Sequence, residues 1–155
     1  MLGFNSVDNS VNYLVIGYGN TLRSDDGAGY RVAEIAETWD IPNLRSLPIH
    51  QLTPELAEAI AQSHLTFFVD VWLLQSNETP ELRVEAIAPD TTATYSGHAC
   101  DPRALLALAQ MLYGKAPRAY WVLIPAESFA FGEELSAIAQ KGLEEALEKI
   151  KKMLS

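Results

Sequence analysis

The stretch "HLTFFVDVWLL" constrains the fold most. From Leu65 to Val71 it is almost continuously apolar and rich in β-branched and aromatic residues. A run of that length and type is expected to be a strand buried on both faces, which requires a layer of structure on each side of its sheet. Short β-rich runs alternate with helical patterns along the rest of the chain, as in α/β folds. Tyr13–Ile16 is a strand that enters a glycine turn, and Ala28–Thr38 follows as an amphipathic helix with Ala28, Val32, Ile35 and Ala36 on one face. Ser46–Gln51 reads as a second strand. Thr53-Pro54 reads as N-cap and first residue of a helix reaching about Gln62. Leu82–Ala88 alternates, as an edge or antiparallel strand would. "TTATYSGH" reads as a loop, and Asp101-Pro102 opens a helix to about Tyr113. Ala119–Ile124 is the last strand. Leu135, Ile138, Ala139, Leu143, Ala146, Leu147, Ile150 and Leu154 mark one buried face of a C-terminal helix.

The expected architecture is therefore an α/β three-layer sandwich, a five-stranded mixed twisted sheet with helices on both faces. With 155 residues, one domain spanning 1–155 is expected, with 1–12 as a loose polar tail. The single cysteine, Cys100, rules out an intrachain disulfide and fits a reducing compartment. Without a basic, apolar leader or a long apolar span, the cytoplasm is the expected location. A net charge of −9 disfavours nucleic acid and anionic membranes as partners.

In open α/β sheets ligands bind beyond the carboxyl ends of the strands. Three polar residues fall at such places: Asp26 after the first strand, Asp70 ending the third, and His98 in a late loop. The glycine turn "GYGNTLRSDDGAG" resembles a phosphate loop, but Leu22 stands where a third dinucleotide glycine would be, and no Gly-Lys-Ser/Thr follows. Asp25 and Asp26 would also repel an anion from the helix N-terminus. Two readings of this acidic pair stay open. In one, both carboxylates satisfy free N–H groups of the first helical turn. In the other, Asp25 caps and Asp26 projects into the cleft as a cation ligand.

Asp70 is likewise open between accepting local N–H bonds and serving as a second hard ligand. Two carboxylates and an imidazole suit zinc, nickel or iron with positions left free, although their spacing matches no compact zinc signature. His50 and His64 read as structural or exposed. Cys100 reads as a small buried residue beside a helix cap. The nucleophile elbow of serine hydrolases and the paired-histidine zinc motif are both absent.

"GYGNTLRSDDGAGYRVAE" resembles the opening motif of the nickel–iron hydrogenase maturation endopeptidases. The likeness continues through "HQLTPELAEAIAQSHLTFFVD", "SGHACDPRALLALAQMLYG" and "ESFAFGEELS", covering Leu14 to about Ser136. The resemblance implies a twisted sheet between helices. It also implies a hydrolase that removes the C-terminal extension of the hydrogenase large-subunit precursor after nickel insertion. The family's two acidic ligands and its histidine fall on Asp26, Asp70 and His98, as metal-binding and catalytic residues. Nickel would come mainly with the precursor and act as the recognition element, with no organic cofactor. Glu127–Glu133, with Phe129 and Phe131, stands where it would help hold the precursor's tail, although two phenylalanines read more simply as core. The competing expectation is a non-catalytic nickel-binding assembly module on the same fold.

Overall fold

The computed structural model describes residues 11–93, 95–96 and 99–154. Strand β1 (Tyr13–Tyr18) runs through a 3-10 turn at Ser24–Gly27 into helix α1 (Ala28–Glu37), and β2 (Leu44–Ile49) follows. A second 3-10 turn, Pro54–Leu56, leads to α2 (Ala57–Gln62) and β3 (Leu65–Leu73). Then come β4 (Arg83–Ile87), a short hairpin of β5 (Tyr95–Ser96) and β6 (Ala99–Cys100), α3 (Pro102–Tyr113), β7 (Arg118–Ala126) and α4 (Ala137–Met153).

The main sheet has five strands in the order β2-β1-β3-β7-β4. The first four are parallel, and β4 closes one edge antiparallel to β7. The sheet is mixed and covered on both faces, as the apolar third strand required. Side chains of β1 and β3 alternate between two cores. Leu14, Ile16, Tyr18 and Phe68 pack with α2 and α3, while Val15, Phe67 and Val69 pack with α1 and α4. From β1 the chain crosses through α1 to β2 on one side. It then returns past β1 to β3 on the other. The order reverses at β1, and such a reversal is where open α/β sheets place their ligand crevice, here beyond the carboxyl ends of β1 and β3.

Two glycines let α1 start inside that crevice. A Cβ on Gly29 would overlap the Val69 carbonyl oxygen, and one on Gly19 (φ +147) would overlap that of Asp26. The chain can bring a helix start down onto the strand ends only where side chains are missing.

Several boundaries differ from the sequence reading. β2 begins two residues earlier, because pairing of Leu44 with Tyr13 sets its start. The helix at Thr53-Pro54 opens as a 3-10 turn, and the Thr53 side chain makes no cap bond. Part of the expected loop "TTATYSGH" is strand, since Tyr95 and Ser96 pair with Cys100 and Ala99. The end of the expected loose tail is tied down. Asn12 Nδ2 donates to the Gln62 carbonyl at 3.2 Å, and the Asn12 carbonyl accepts from the backbone of His64 at 2.8 Å. The expected tail at 1–10 lies outside the described residues. α3 follows the sequence closely: Asp101 accepts from the Arg103 N–H, Pro102 is the first helical residue, and Gly114 ends the helix in the left-handed region (φ 79). No helix among the described residues is long and apolar enough to cross a membrane.

Candidate functional site

The turn after β1 divides the two adjacent aspartates between different tasks. Asp25 is fully buried and makes no cap bond to its own helix. Its carboxylate accepts four hydrogen bonds from the far end of the chain. They come from the N–H of Glu127 (2.8 Å), of Ser128 (3.4 Å) and of Ser136 (2.7 Å), and from the Ser136 hydroxyl (2.7 Å). The expectation that Asp25 caps α1 is corrected: it serves the segment after β7 and the N-cap of α4. Further bonds lace the same two segments. The Ser24 hydroxyl donates to the Ala130 carbonyl at 2.7 Å, and the Gly132 N–H donates to that of Leu22 at 2.8 Å.

That lacing accounts for the 127–133 segment. Its chain is held from below, so Phe131 is turned outward at 88% exposure rather than buried in the core. Phe131, Gly132, Glu133 and Glu134, with Ser24, line an open pocket of about 500 Å³. Asp26 and Asp70 are not among its lining residues.

Removing the Asp25 carboxylate would strand several buried N–H donors at once. Asp25→Ala is expected to cost roughly 3–5 kcal/mol of stability. The measurement is the urea midpoint at pH 7, and an unchanged midpoint would show that the four bonds do not tie these segments together.

Asp26 is partly buried, and its Oδ2 accepts the Asn20 N–H at 2.9 Å. The Asn20 side chain in turn accepts the Leu22 N–H at 2.9 Å. These bonds fold the turn over Asp26 and fix its direction. Asp70 lies on β3 one residue past the last β1–β3 pair, Gly17 with Val69. Its Oδ1 accepts the following backbone N–H, that of Val71, at 2.7 Å. Burial pushes the Asp70 carboxyl up to about 6, and the nearby charge of Asp26 adds to the rise. The Asp26 charge is thus close enough to disfavour ionisation of Asp70. A divalent cation between them would relieve both the burial and the repulsion, so this donor set fits a hard or borderline metal.

Two neighbours of Asp70 were not anticipated from the sequence. Tyr18 and Trp121 belong to the same face of the sheet, packed with the α2–α3 core. The Tyr18 hydroxyl lies against the Asp70 carboxylate and the Trp121 indole. It falls short of full hydrogen-bonding geometry with either, so among the described residues Tyr18 Oη and Trp121 Nε1 are buried polar atoms without a formal partner. Burial and the Asp70 charge together push the Tyr18 hydroxyl well up, so it stays a protonated donor. The period-two alternation Leu14, Ile16, Tyr18 was the sequence signal that could have placed Tyr18 beside Asp70.

His98 lies outside the described residues. Among the described residues no group of three histidine, cysteine, aspartate or glutamate side chains is arranged to hold a metal. Cys100 packs against the α2–α3 core, and burial with the adjacent Asp101 pushes its thiol up to about 11. It is therefore protonated, and a poor nucleophile, at neutral pH. His50 is exposed and stacks on Tyr30, with ring centroids 5.3 Å apart. His64 is exposed as well, and its Nδ1 accepts the Asn12 N–H at 2.9 Å.

No protein-family model and no curated protein matches the chain. Solved structures do. The [NiFe] hydrogenase maturation protease HybD from Thermococcus kodakarensis superposes with a TM-score of 0.72 at 23% identity, over 94% of this chain and 100% of that one. HycI from Thermococcus kodakarensis KOD1, another [NiFe] hydrogenase maturation protease, gives 0.70 at 22% identity, over 95% and 94%. The hydrogenase maturating endopeptidase HybD from E. coli gives 0.70 at 22% identity, over 93% and 92%. The chain has the fold of these proteases along nearly its whole length.

Proposed function

We propose, from a fold shared with hydrogenase maturation proteases, that this protein is an endopeptidase of nickel–iron hydrogenase maturation. It removes the C-terminal extension of the large-subunit precursor after nickel has been inserted. The observation that carries this reading is the pair Asp26 and Asp70, held within electrostatic reach of each other where the strand order reverses. His98 is proposed as the third ligand, from the motif resemblance.

In this reading the metal is cargo of the substrate, and the enzyme recognises it. Asp26, fixed by the Asn20 N–H, and Asp70, fixed by that of Val71, offer oxygen ligands from two rigid elements. Such a set leaves coordination positions free for donors of the precursor. Bound nickel would supply Lewis acidity toward the scissile carbonyl or an attacking water. The work proposed for this chain is to hold the precursor's metal-bearing end so that the scissile bond lies against the crevice.

The test is a processing assay. Purified nickel-loaded precursor incubated with the protein should yield the shortened subunit. Binding without shortening would favour a non-catalytic assembly module instead. Serine- and cysteine-directed inhibitors should leave processing intact, and Cys100→Ser should retain at least about half the activity, since its thiol is protonated at neutral pH. Loss of processing in a folded Cys100→Ser protein would make the enzyme a thiol protease.

A further inference from the structure

Three polar side chains stand in a row on one face of the sheet, and their chemistry allows only one direction of hydrogen bonding. The indole N–H of Trp121 can only donate, the Tyr18 hydroxyl can donate and accept, and an ionised Asp70 can only accept. β1 and β3 run in parallel register with Gly17 beside Val69, which places Tyr18 beside Asp70. β3 and β7 pair Phe68 with Trp121, which places the indole one step back on the same face. Tyr18 is nine-tenths buried, and neither its hydroxyl nor the indole N–H has a hydrogen-bond partner elsewhere among the described residues.

We propose that Trp121, Tyr18 and Asp70 form a one-way donor chain, Trp121 Nε1–H to Tyr18 Oη–H to the Asp70 carboxylate. Tyr18 is then a positioning residue for the metal-facing oxygen of Asp70. The proposal rests on the reading of Asp70 as a metal ligand. Asp70 Oδ1 is already held by the Val71 N–H. A carboxylate anchored by one oxygen still rotates, and a donor on its other side fixes its plane. Donors that reach a ligand from behind raise its basicity and hold its orientation, and losing one weakens metal binding by about 10- to 100-fold. The chain also gives two buried donors a purpose that packing alone does not.

The test is titration of the free protein with Ni²⁺, alongside thermal melting, for wild type, Tyr18→Phe, Trp121→Phe, the double variant and Asp70→Asn. Tyr18→Phe keeps the ring and removes only the hydroxyl, so it should melt near the wild type while its nickel dissociation constant rises about 10-fold or more. Trp121→Phe should show a smaller rise. The double variant should be no weaker than Tyr18→Phe alone, because Trp121 acts only through Tyr18. Wild-type nickel affinity in Tyr18→Phe would overturn the chain, and additive losses would overturn its order. Should Tyr18→Phe melt early, Trp121→Phe carries the test, and its wild-type affinity would overturn the proposal. Loss of nickel binding in Asp70→Asn with none in Tyr18→Phe would remove the chain and leave Asp70 as a ligand. Wild-type binding by Asp70→Asn would remove both.

Discussion

Asp70→Asn is expected to abolish precursor processing and, at neutral pH, to make the protein more stable than the wild type. The two effects have one cause. Burial and the neighbouring Asp26 raise the Asp70 carboxyl from the ordinary aspartate value to about 6 in the folded protein. In the unfolded chain it ionises near 4. Below pH ~4 both states carry the proton, and Asp70 costs nothing. Between pH ~4 and ~6 the unfolded chain gives up its proton while the folded one retains it. Stability therefore falls as pH rises through that window. Above about 6 the penalty is complete, at roughly 3 kcal/mol.

Asparagine is uncharged at every pH and escapes this cost. The variant should melt on the order of 5–10 °C above the wild type at pH 7.5 and within about 2 °C of it at pH 4. Its amide keeps the shape of the carboxylate but is a much weaker metal ligand, so processing should drop at least 100-fold. This is the exchange of stability for function expected of a charged group kept in a cleft. Thermal melts at the two pH values, paired with the processing assay, check it. A pH-independent difference in melting would show that Asp70 carries no burial penalty. A processing-competent Asp70→Asn would remove it from the site. Asp26→Ala and His98→Ala should lose processing to a similar degree while remaining folded.

The sheet was legible because its strands carry distinct hydrophobic signatures. Leu65–Val71 had to be interior, and the alternation of Leu82–Ala88 foretold the antiparallel edge now seen at Arg83–Ile87. β2 was less legible, since "LRSLPI" is a weak strand locally and pairing with β1 fixes its register. The crevice could be anticipated from the order of elements, and Asp26 and Asp70 from their places at strand ends. The task of Asp25 could not. It depends on backbone N–H groups about a hundred residues away, and an aspartate at a helix start looks the same in sequence whether it caps or reaches across the fold. The exposure of Phe131 was hidden for the same reason. On the 127–136 side the bonds that turn the segment outward are made mostly by main-chain atoms, which leave no mark on composition.

The central claim is that metal already seated in the precursor is what the enzyme recognises. Asp26, Asp70 and His98 would make an incomplete coordination set, completed by donors of the precursor around the same ion. Neither protein alone would then hold the scissile segment in register, and such positioning can supply several kcal/mol of a barrier. The direct measurement is a time course of precursor shortening, followed by gel mobility, with nickel-loaded and nickel-free precursor at equal enzyme. A rate at least 100-fold higher for the loaded form is expected, with a metal-free peptide copy of the extension scarcely cleaved. Equal rates for loaded and nickel-free precursor would contradict recognition through the metal.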